Sequence, residues 1–144
     1  MKVQAMLARK GDQVVTVWPD ATIADAIELL REKKIGALVV SDGGAGVQGI
    51  LSERDVVRAL VTHGDGLLQE RVSKFMTSTV KTCVPDDHIA DVMGQMTESR
   101  IRHLPVVEDG RLLGIISIGD VVKNRLDELE SETNDLREYI VGRG

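Results

Sequence analysis

The sequence predicts a mixed α/β (α+β) fold in which two β-α-β-β-α repeats pack with pseudo-twofold symmetry, followed by an extended C-terminal helix. Three features of the sequence predict it. The segment Gly49–Asp55 returns 65 positions later as Gly114–Asp120, and two valines follow each copy. Pro19–Asp20 returns 66 positions later as Pro85–Asp86. Short apolar runs alternate with helical patterns in the same order in both halves, and two such units suit a closed pair better than an open array.

The first repeat is expected over residues 13–68, after an N-terminal helical segment at residues 1–12. Val14–Val17 is an apolar, β-branched run that predicts a strand. A helix then starts at Thr22, where Asp25 three residues later completes a capping pattern. Its buried face is predicted from apolar residues at i, i+3, i+4 and i+7: Ile23, Ala26, Ile27 and Leu30.

The rest of the first repeat reads as two buried strands and a helix. Ala37–Val40 and Val47–Leu51 are apolar enough for buried strands, and residues 41–46 between them are too rich in glycine for a regular element. Ser52 then opens a helix that runs to about Val61.

The second repeat is expected over residues 80–124 and has the same order of elements. A linker over residues 69–79 joins the repeats, with a short helical turn near Val72–Met76. The elements predicted for the second repeat are a strand at Val80–Val84, a helix with the apolar face Ile89, Val92, Met93 and Met96, a strand pair at Leu104–Val107 and Leu112–Ile116, and a helix that starts at Ser117.

A helical extension is predicted over residues 125–144, beyond the second repeat. Its apolar positions are spaced 3, 4, 3 and 4 apart, which resembles a heptad seam: Leu126, Leu129, Thr133, Leu136 and Ile140. Two heptads do not establish a coiled coil. The seam therefore predicts either a dimer contact or packing within its own chain.

The repeated Ser-x-x-Asp turns are the candidate functional feature. Backbone N–H groups at a helix start attract anions, and a fixed carboxylate can hold a ribose diol. The plain alternative is a capping box, worth about 1 kcal/mol without any ligand. Two details favour a site. The third helical position is Asp both times, where a capping box prefers Glu, and each strand begins with glycine, which permits a close approach of backbone to ligand.

These turns, the duplicated unit and the strand Arg102–Val106 together resemble a tandem pair of CBS (cystathionine-β-synthase) domains, a Bateman module. The resemblance covers about residues 10–125 and is closest to stand-alone bacterial members. It implies an adenosine-containing ligand in clefts between the repeats, with AMP, ADP, ATP or NAD ahead of S-adenosylmethionine. It also implies that the turn's Asp holds the ribose and that the Ser approaches the phosphate.

Transfer by position implies two sites. The first would contain Thr16, Ala37 and Asp55, with Ser117 from the opposite repeat. The second would contain Thr82, His103 and Asp120, with Ser52 from the opposite repeat. Because Arg102, His103 and Arg54 are also expected around the second site, whereas uncharged residues occupy the matching positions of the first, we expect the Asp120 site to bind phosphorylated ligands more tightly.

The expected function is therefore a non-catalytic regulatory sensor that signals by a conformational shift, as a homodimer and with an unidentified regulated protein as a possible partner. The alternative is a structural adaptor that binds another protein and no ligand. No Ser-His-Asp, Cys-His or paired-carboxylate constellation indicates catalysis, and the three histidines have no metal-ligand spacing.

The chain as a whole excludes other classes. Of its 144 residues, 42% are hydrophobic and 28% charged, which is typical of a soluble globular protein. The formal net charge is −5 and no basic block occurs, so nucleic acid is not an expected partner. No apolar run approaches the roughly 18 residues of a membrane helix, so we expect no membrane and a cytoplasmic location. The lone Cys83 is expected to be a small strand residue.

Overall fold

The computed structural model describes residues 1–11, 13–43 and 46–142. The predicted loop at 41–46 and the ends of the 1–12 and 125–144 segments therefore lie partly outside the described residues. In the first half the elements are α1 (Val3–Lys10), β1 (Thr16–Val17), α2 (Ile23–Lys33), β2 (Ala37–Val40), β3 (Gly49–Ser52) and α3 (Glu53–His63). A 3₁₀ helix, Gly64–Gln69, follows α3.

The second half has the same order of helices and paired strands. Its elements are α4 (Val72–Phe75), α5 (Ile89–Ser99), β4 (His103–Glu108), β5 (Arg111–Ser117) and α6 (Ile118–Val141). The mixed α/β fold with a long C-terminal helix is confirmed.

Each repeat forms a small sheet. In the first, β1 pairs in parallel with β2, and β2 pairs antiparallel with β3. In the second, β4 and β5 form an antiparallel pair. The strand predicted at Val80–Val84 is wrong as a regular element: Cys83 makes one isolated parallel bridge to Val106. Lys81 and Thr82 are exposed on one side of it, and Pro85, which has no N–H to donate, follows two residues later.

Each repeat has its own hydrophobic core, and the helix that precedes each repeat packs into the core of the other repeat. Val3 and Met6 of α1, at the start of the chain, pack in the core of the second repeat. Val72 of α4, between the repeats, packs in the core of the first, with Phe75 and Met76 against it. The two repeats are therefore tied together reciprocally.

Three helices begin with a complete capping box, in which the cap side chain accepts from the third helical N–H and the Asp there accepts from the cap N–H. The cap residues are Thr22, Ser52 and Ser117. These boxes fix where α2, α3 and α6 begin.

The last part of α6 projects from the second repeat. Val121 and Asn124 are buried, whereas Leu126, Leu129, Leu136 and Ile140 are exposed. Of the two alternatives for this seam, packing within its own chain is therefore not observed. None of the described helices is both long and apolar enough to cross a bilayer.

Candidate ligand-binding clefts

The two Ser-x-x-Asp turns have the same backbone geometry. The N–H of Ser52 donates to Asp55 Oδ2 over 2.9 Å, and the N–H of Asp55 donates to Ser52 Oγ over 3.2 Å. The matching distances at Ser117 and Asp120 are 2.9 and 3.1 Å. Each turn is thus a helix cap, and capping occupies one oxygen of each carboxylate as a hydrogen-bond acceptor.

Asp55 lines a large cavity, and its second oxygen has one long contact. The Thr77 hydroxyl lies 3.5 Å from Asp55 Oδ1, which is long for a hydrogen bond, so this oxygen retains acceptor capacity. The cavity has a volume of about 1210 Å³. It lies between the Ser52–Asp55 turn of the first repeat and, from the second repeat, the segment Thr79–Lys81 and the start of β4.

The structure brings together four residues predicted for the second site, and Asp55 of the first site lies with them in place of Asp120. Among the described residues, Ser52, Arg54 and Asp55 line the cavity together with Arg102 and His103. Thr16 and Ala37, which were expected beside Asp55 in its own repeat, do not line it. Thr82, Ser117 and Asp120 do not line it either. The repeats face each other, so the turn of one lies against the strand start of the other.

Several of these residues have structural positions instead. Ala37 is buried and pairs with Ser52 across the β2–β3 ladder, as His103 pairs with Ser117 in the second repeat. Thr16 is exposed on the short β1, and Thr82 is exposed one residue after Lys81, which does line the cavity. Gly36, next to Ala37, reaches the cavity and lies against the His103 ring.

Cations outnumber acids in the lining of this cavity. Five basic side chains and three acidic ones give an excess of +2 in a chain whose net charge is −5: Arg54, Arg58, Lys81, Arg100 and Arg102 against Glu53, Asp55 and Glu98. Arg58, Lys81 and Arg100 were not among the residues predicted for either site. Arg58 was detectable, because it lies one helical turn after Arg54 on α3.

The expectation that the Asp120 site binds phosphorylated ligands more tightly stays a prediction. It depends on Arg54, Arg102 and His103 lying around Asp120; all three line the cavity that contains Asp55, and His103 is also close enough to Asp120 for that charge to act on its pKa. The same argument from charge now favours the cavity of Asp55.

Asp120 has a different environment. Lys10 Nζ lies 2.5 Å from Asp120 Oδ2, the oxygen that also accepts from the Ser117 N–H. Burial acts to raise the pKa of Asp120, but hydrogen bonds from Lys10 and Ser117 outweigh it and hold that pKa below its usual value. Asp120 is an ionised carboxylate with a cation already bound to it.

His103 lies close to the charged groups of both turns. Burial lowers the pKa of His103, and the positive charge of Lys10 lowers it further, while Asp120 and Glu53 act in the opposite direction. The lowered pKa favours the neutral imidazole at pH 7, in which one ring nitrogen donates a hydrogen bond and the other accepts one. No cluster of metal-ligating side chains occurs among the described residues.

Comparisons with known proteins agree on a family. The family model of the CBS domain matches residues 8–62 and 72–127. The mitochondrial CBS domain-containing protein CBSX3 of Arabidopsis thaliana is 36% identical, over 97% of this chain and 72% of its own length. A crystal structure of a CBS-domain containing protein from Agrobacterium tumefaciens is 49% identical, with a TM-score of 0.84 over 87% of this chain and 99% of that one.

A more distant CBS domain pair was crystallised with 5′-methylthioadenosine and S-adenosyl-L-methionine. It is 23% identical to this chain, with a TM-score of 0.79 over 89% of this chain and 98% of its own. At that identity the likeness establishes a shared fold.

Proposed function

The chain belongs to the CBS-domain family as a tandem CBS pair, and from this premise we propose that it is a non-catalytic sensor of an adenosine-containing ligand. CBS-domain pairs are generally regulatory modules without catalytic activity. The observation that carries the proposal is the cavity that Asp55 lines together with basic side chains from both repeats. We name this cavity, with Ser52–Asp55 on one side and Arg100–His103 on the other, the Asp55 cleft.

The charges of the Asp55 cleft match the two ends of a nucleotide. A ribose diol can donate to Asp55 Oδ1, and phosphate oxygens can accept from Arg54, Arg102 and the neighbouring basic groups. Because the lining carries an excess of positive charge, anionic AMP, ADP, ATP or NAD is favoured over S-adenosylmethionine, whose sulfonium is a cation.

The distant CBS pair with bound 5′-methylthioadenosine and S-adenosyl-L-methionine supports the adenosine part of the proposal. That protein shows that this fold accepts adenosine compounds. The choice of a phosphorylated ligand here rests on the charges of this chain alone.

Signalling would follow from the fact that both repeats form the cleft. Its walls come from both repeats, so a ligand that spans them binds best to one relative orientation of the repeats. The resulting shift cannot exceed the difference in affinity between the two orientations. The projecting end of α6 is the element through which a regulated protein would read that shift.

We further propose that the working unit is a homodimer in the cytoplasm. Apolar side chains are exposed at matching positions of the two repeats, Val57 and Val61 on α3 and Val122 and Leu126 on α6. Val61 is 84% exposed. Exposed apolar side chains at equivalent positions of two helices favour burial against a second copy.

Isothermal titration of nucleotide-free protein with AMP, ATP, NAD and S-adenosylmethionine tests the ligand proposal. We expect micromolar binding of a phosphorylated ligand, about −8 kcal/mol. Asp55→Asn keeps an oxygen for the helix cap but removes the negative charge, so it should weaken binding at least about tenfold, or 1.4 kcal/mol.

Asp25→Asn is the matched control, because Asp25 occupies the same place in the capping box of α2 and does not line the cleft. It should bind as the unchanged protein does. If folded protein binds no compound of the panel, the turns are caps alone and the adaptor alternative is preferred. If a compound binds but Asp55→Asn binds it normally, Asp55 does not hold the ligand and the proposed cleft is wrong.

A further inference from the structure

The helices that precede the two repeats are structural equivalents. Val3 of α1 and Val72 of α4 are both fully buried. Leu7 packs against Gly114 where Met76 packs against Gly49, the matching glycine of the other turn. Each helix therefore lies beside one of the two Ser-x-x-Asp turns. A difference between the helices consequently gives the two turns different surroundings.

The two helices differ in length. The helix α4 ends at Phe75, and the extended chain beyond it exchanges two backbone hydrogen bonds between Thr77 and Ile50, of 2.8 and 3.0 Å. The helix α1 continues for a further turn to Lys10. Lys10 Nζ then donates to the Ile115 carbonyl over 2.7 Å, at the position that matches Ile50.

This extra turn places an ammonium on Asp120. Lys10 Nζ is 2.5 Å from Asp120 Oδ2, and the two side chains are 30% and 26% exposed. Such a partly covered, charge-assisted pair is stronger than an exposed one. Asp55 has instead the Thr77 hydroxyl at 3.5 Å. One turn is thus occupied by a cation from within the chain, whereas the other is open.

We propose that Lys10 is an intramolecular competitor for the ligand at Asp120, so that the two turns of one chain bind ligand unequally. The inference rests on the proposed function and extends it to the second turn. Lys10 donates to the carboxylate that would otherwise accept from a ribose diol. A ligand must break that ion pair to bind.

The competition sets which ligands can bind. A nucleoside without phosphate offers the displaced ammonium no partner, whereas a phosphate group can accept from Lys10 and offset the lost ion pair. Asp120 therefore excludes neutral nucleosides, and binding there frees the last turn of α1. A change in the last turn of α1 would then signal that ligand is bound at Asp120.

Titration in an Asp55→Asn background isolates the second turn, with adenosine and AMP as probes. Lys10→Met keeps the aliphatic stem and removes the ammonium. We expect the Asp55→Asn/Lys10→Met protein to bind adenosine at least about tenfold more tightly than Asp55→Asn does, with a smaller gain for AMP. Lys10→Gln is a second version that keeps a polar end.

Arg111→Met in the same background is the matched control, because it removes one positive charge from the second repeat at an exposed position that lines neither the Asp55 cleft nor the cavity beside Asp120, and it should change neither affinity. The proposal is wrong if Lys10→Met and Lys10→Gln leave adenosine binding as it is in Asp55→Asn, including no binding in either, or if Arg111→Met has the same effect. The proposed function is judged separately, by what Asp55→Asn loses relative to the unchanged protein.

Discussion

His103 is the residue at which the two repeats meet. Its ring packs against Gly36 of the first repeat, where a Cβ would lie 3.4 Å from the imidazole. Its pKa is lowered by burial and by Lys10, so the ring remains neutral where an exposed histidine would begin to protonate. The sequence predicted a ligand-binding cation here, whereas the lowered pKa favours a neutral ring that lines the cleft.

The lowered pKa of His103 predicts a stability that depends on pH. The ordinary value is 6.5, so the unfolded chain binds more protons than the folded one as the pH falls through that value. The stabilisation is complete above 6.5 and is lost below it. Urea unfolding at pH 7.5 and 5.5 should show a smaller pH-dependent loss in His103→Gln than in the unchanged protein. His88→Gln, at an exposed position, should behave as the unchanged protein does.

An equal loss in His103→Gln and the unchanged protein would contradict this account and assign the pH dependence to other groups.

At the scale of elements, α1 and α4 determine how the repeats are held. The sequence analysis predicted both helices but treated one as an N-terminal segment and the other as a linker. Their equivalence was not visible, because Val3 and Val72 are 69 positions apart rather than 66, and because Leu7 and Met76 match in size and not in identity. The equivalence rests on packing against Gly49 and Gly114. Matching residues at a fixed spacing in the sequence does not reveal such packing.

The two glycines predict unequal costs of substitution. A Cβ at Gly49 would lie 2.6 Å from Met76 Sδ and 2.9 Å from the Thr77 carbonyl oxygen, and backbone cannot move aside easily. A Cβ at Gly114 would lie 2.6 Å from the end of the flexible Leu7 side chain. Gly49→Ala should therefore lower the free energy of unfolding by about 1–3 kcal/mol, and Gly114→Ala by less. Urea titrations of both variants would measure this, and a larger loss in Gly114→Ala would contradict it.

At the scale of the whole molecule, the face-to-face packing of the repeats collects charge that is dispersed in the sequence. Arg54 and Arg58 come from α3, whereas Arg100 and Arg102 come from the junction of α5 and β4. Together they make a basic cleft in an acidic chain.

The proposed dimer predicts a change of mass on substitution. Val61 lies on the exposed apolar face of α3, so a charge there would have to be buried unpaired in the interface. Light scattering after size exclusion should find a dimer of the 15.7 kDa chain and a monomer for Val61→Glu. Val84→Glu, which places the same charge on an exposed valine outside α3 and α6, should remain dimeric. A monomeric unchanged protein at micromolar concentration would contradict the dimer.

The sequence by itself determined the duplicated architecture, the helix faces, the paired strands, the capped turns and the family. All of these depend on periodicity and on residues a few positions apart, which the order of residues records directly. The strand predicted at 80–84 was wrong because strand formation depends on a partner distant in the sequence. Its local apolar pattern fits a strand, but a strand also needs a partner along its length, and within this segment only Cys83 forms a bridge, to Val106.

Only the tertiary structure decided which residues share a cleft. It joined Asp55 to Arg102 and His103 of the opposite repeat, and it brought Lys10 to Asp120 from 110 positions away. Two similar repeats can be paired on paper in more than one way, and their sequences do not distinguish those ways. The face-to-face packing of two separate cores, together with one extra turn in α1, selects a single arrangement and makes the two turns unequal.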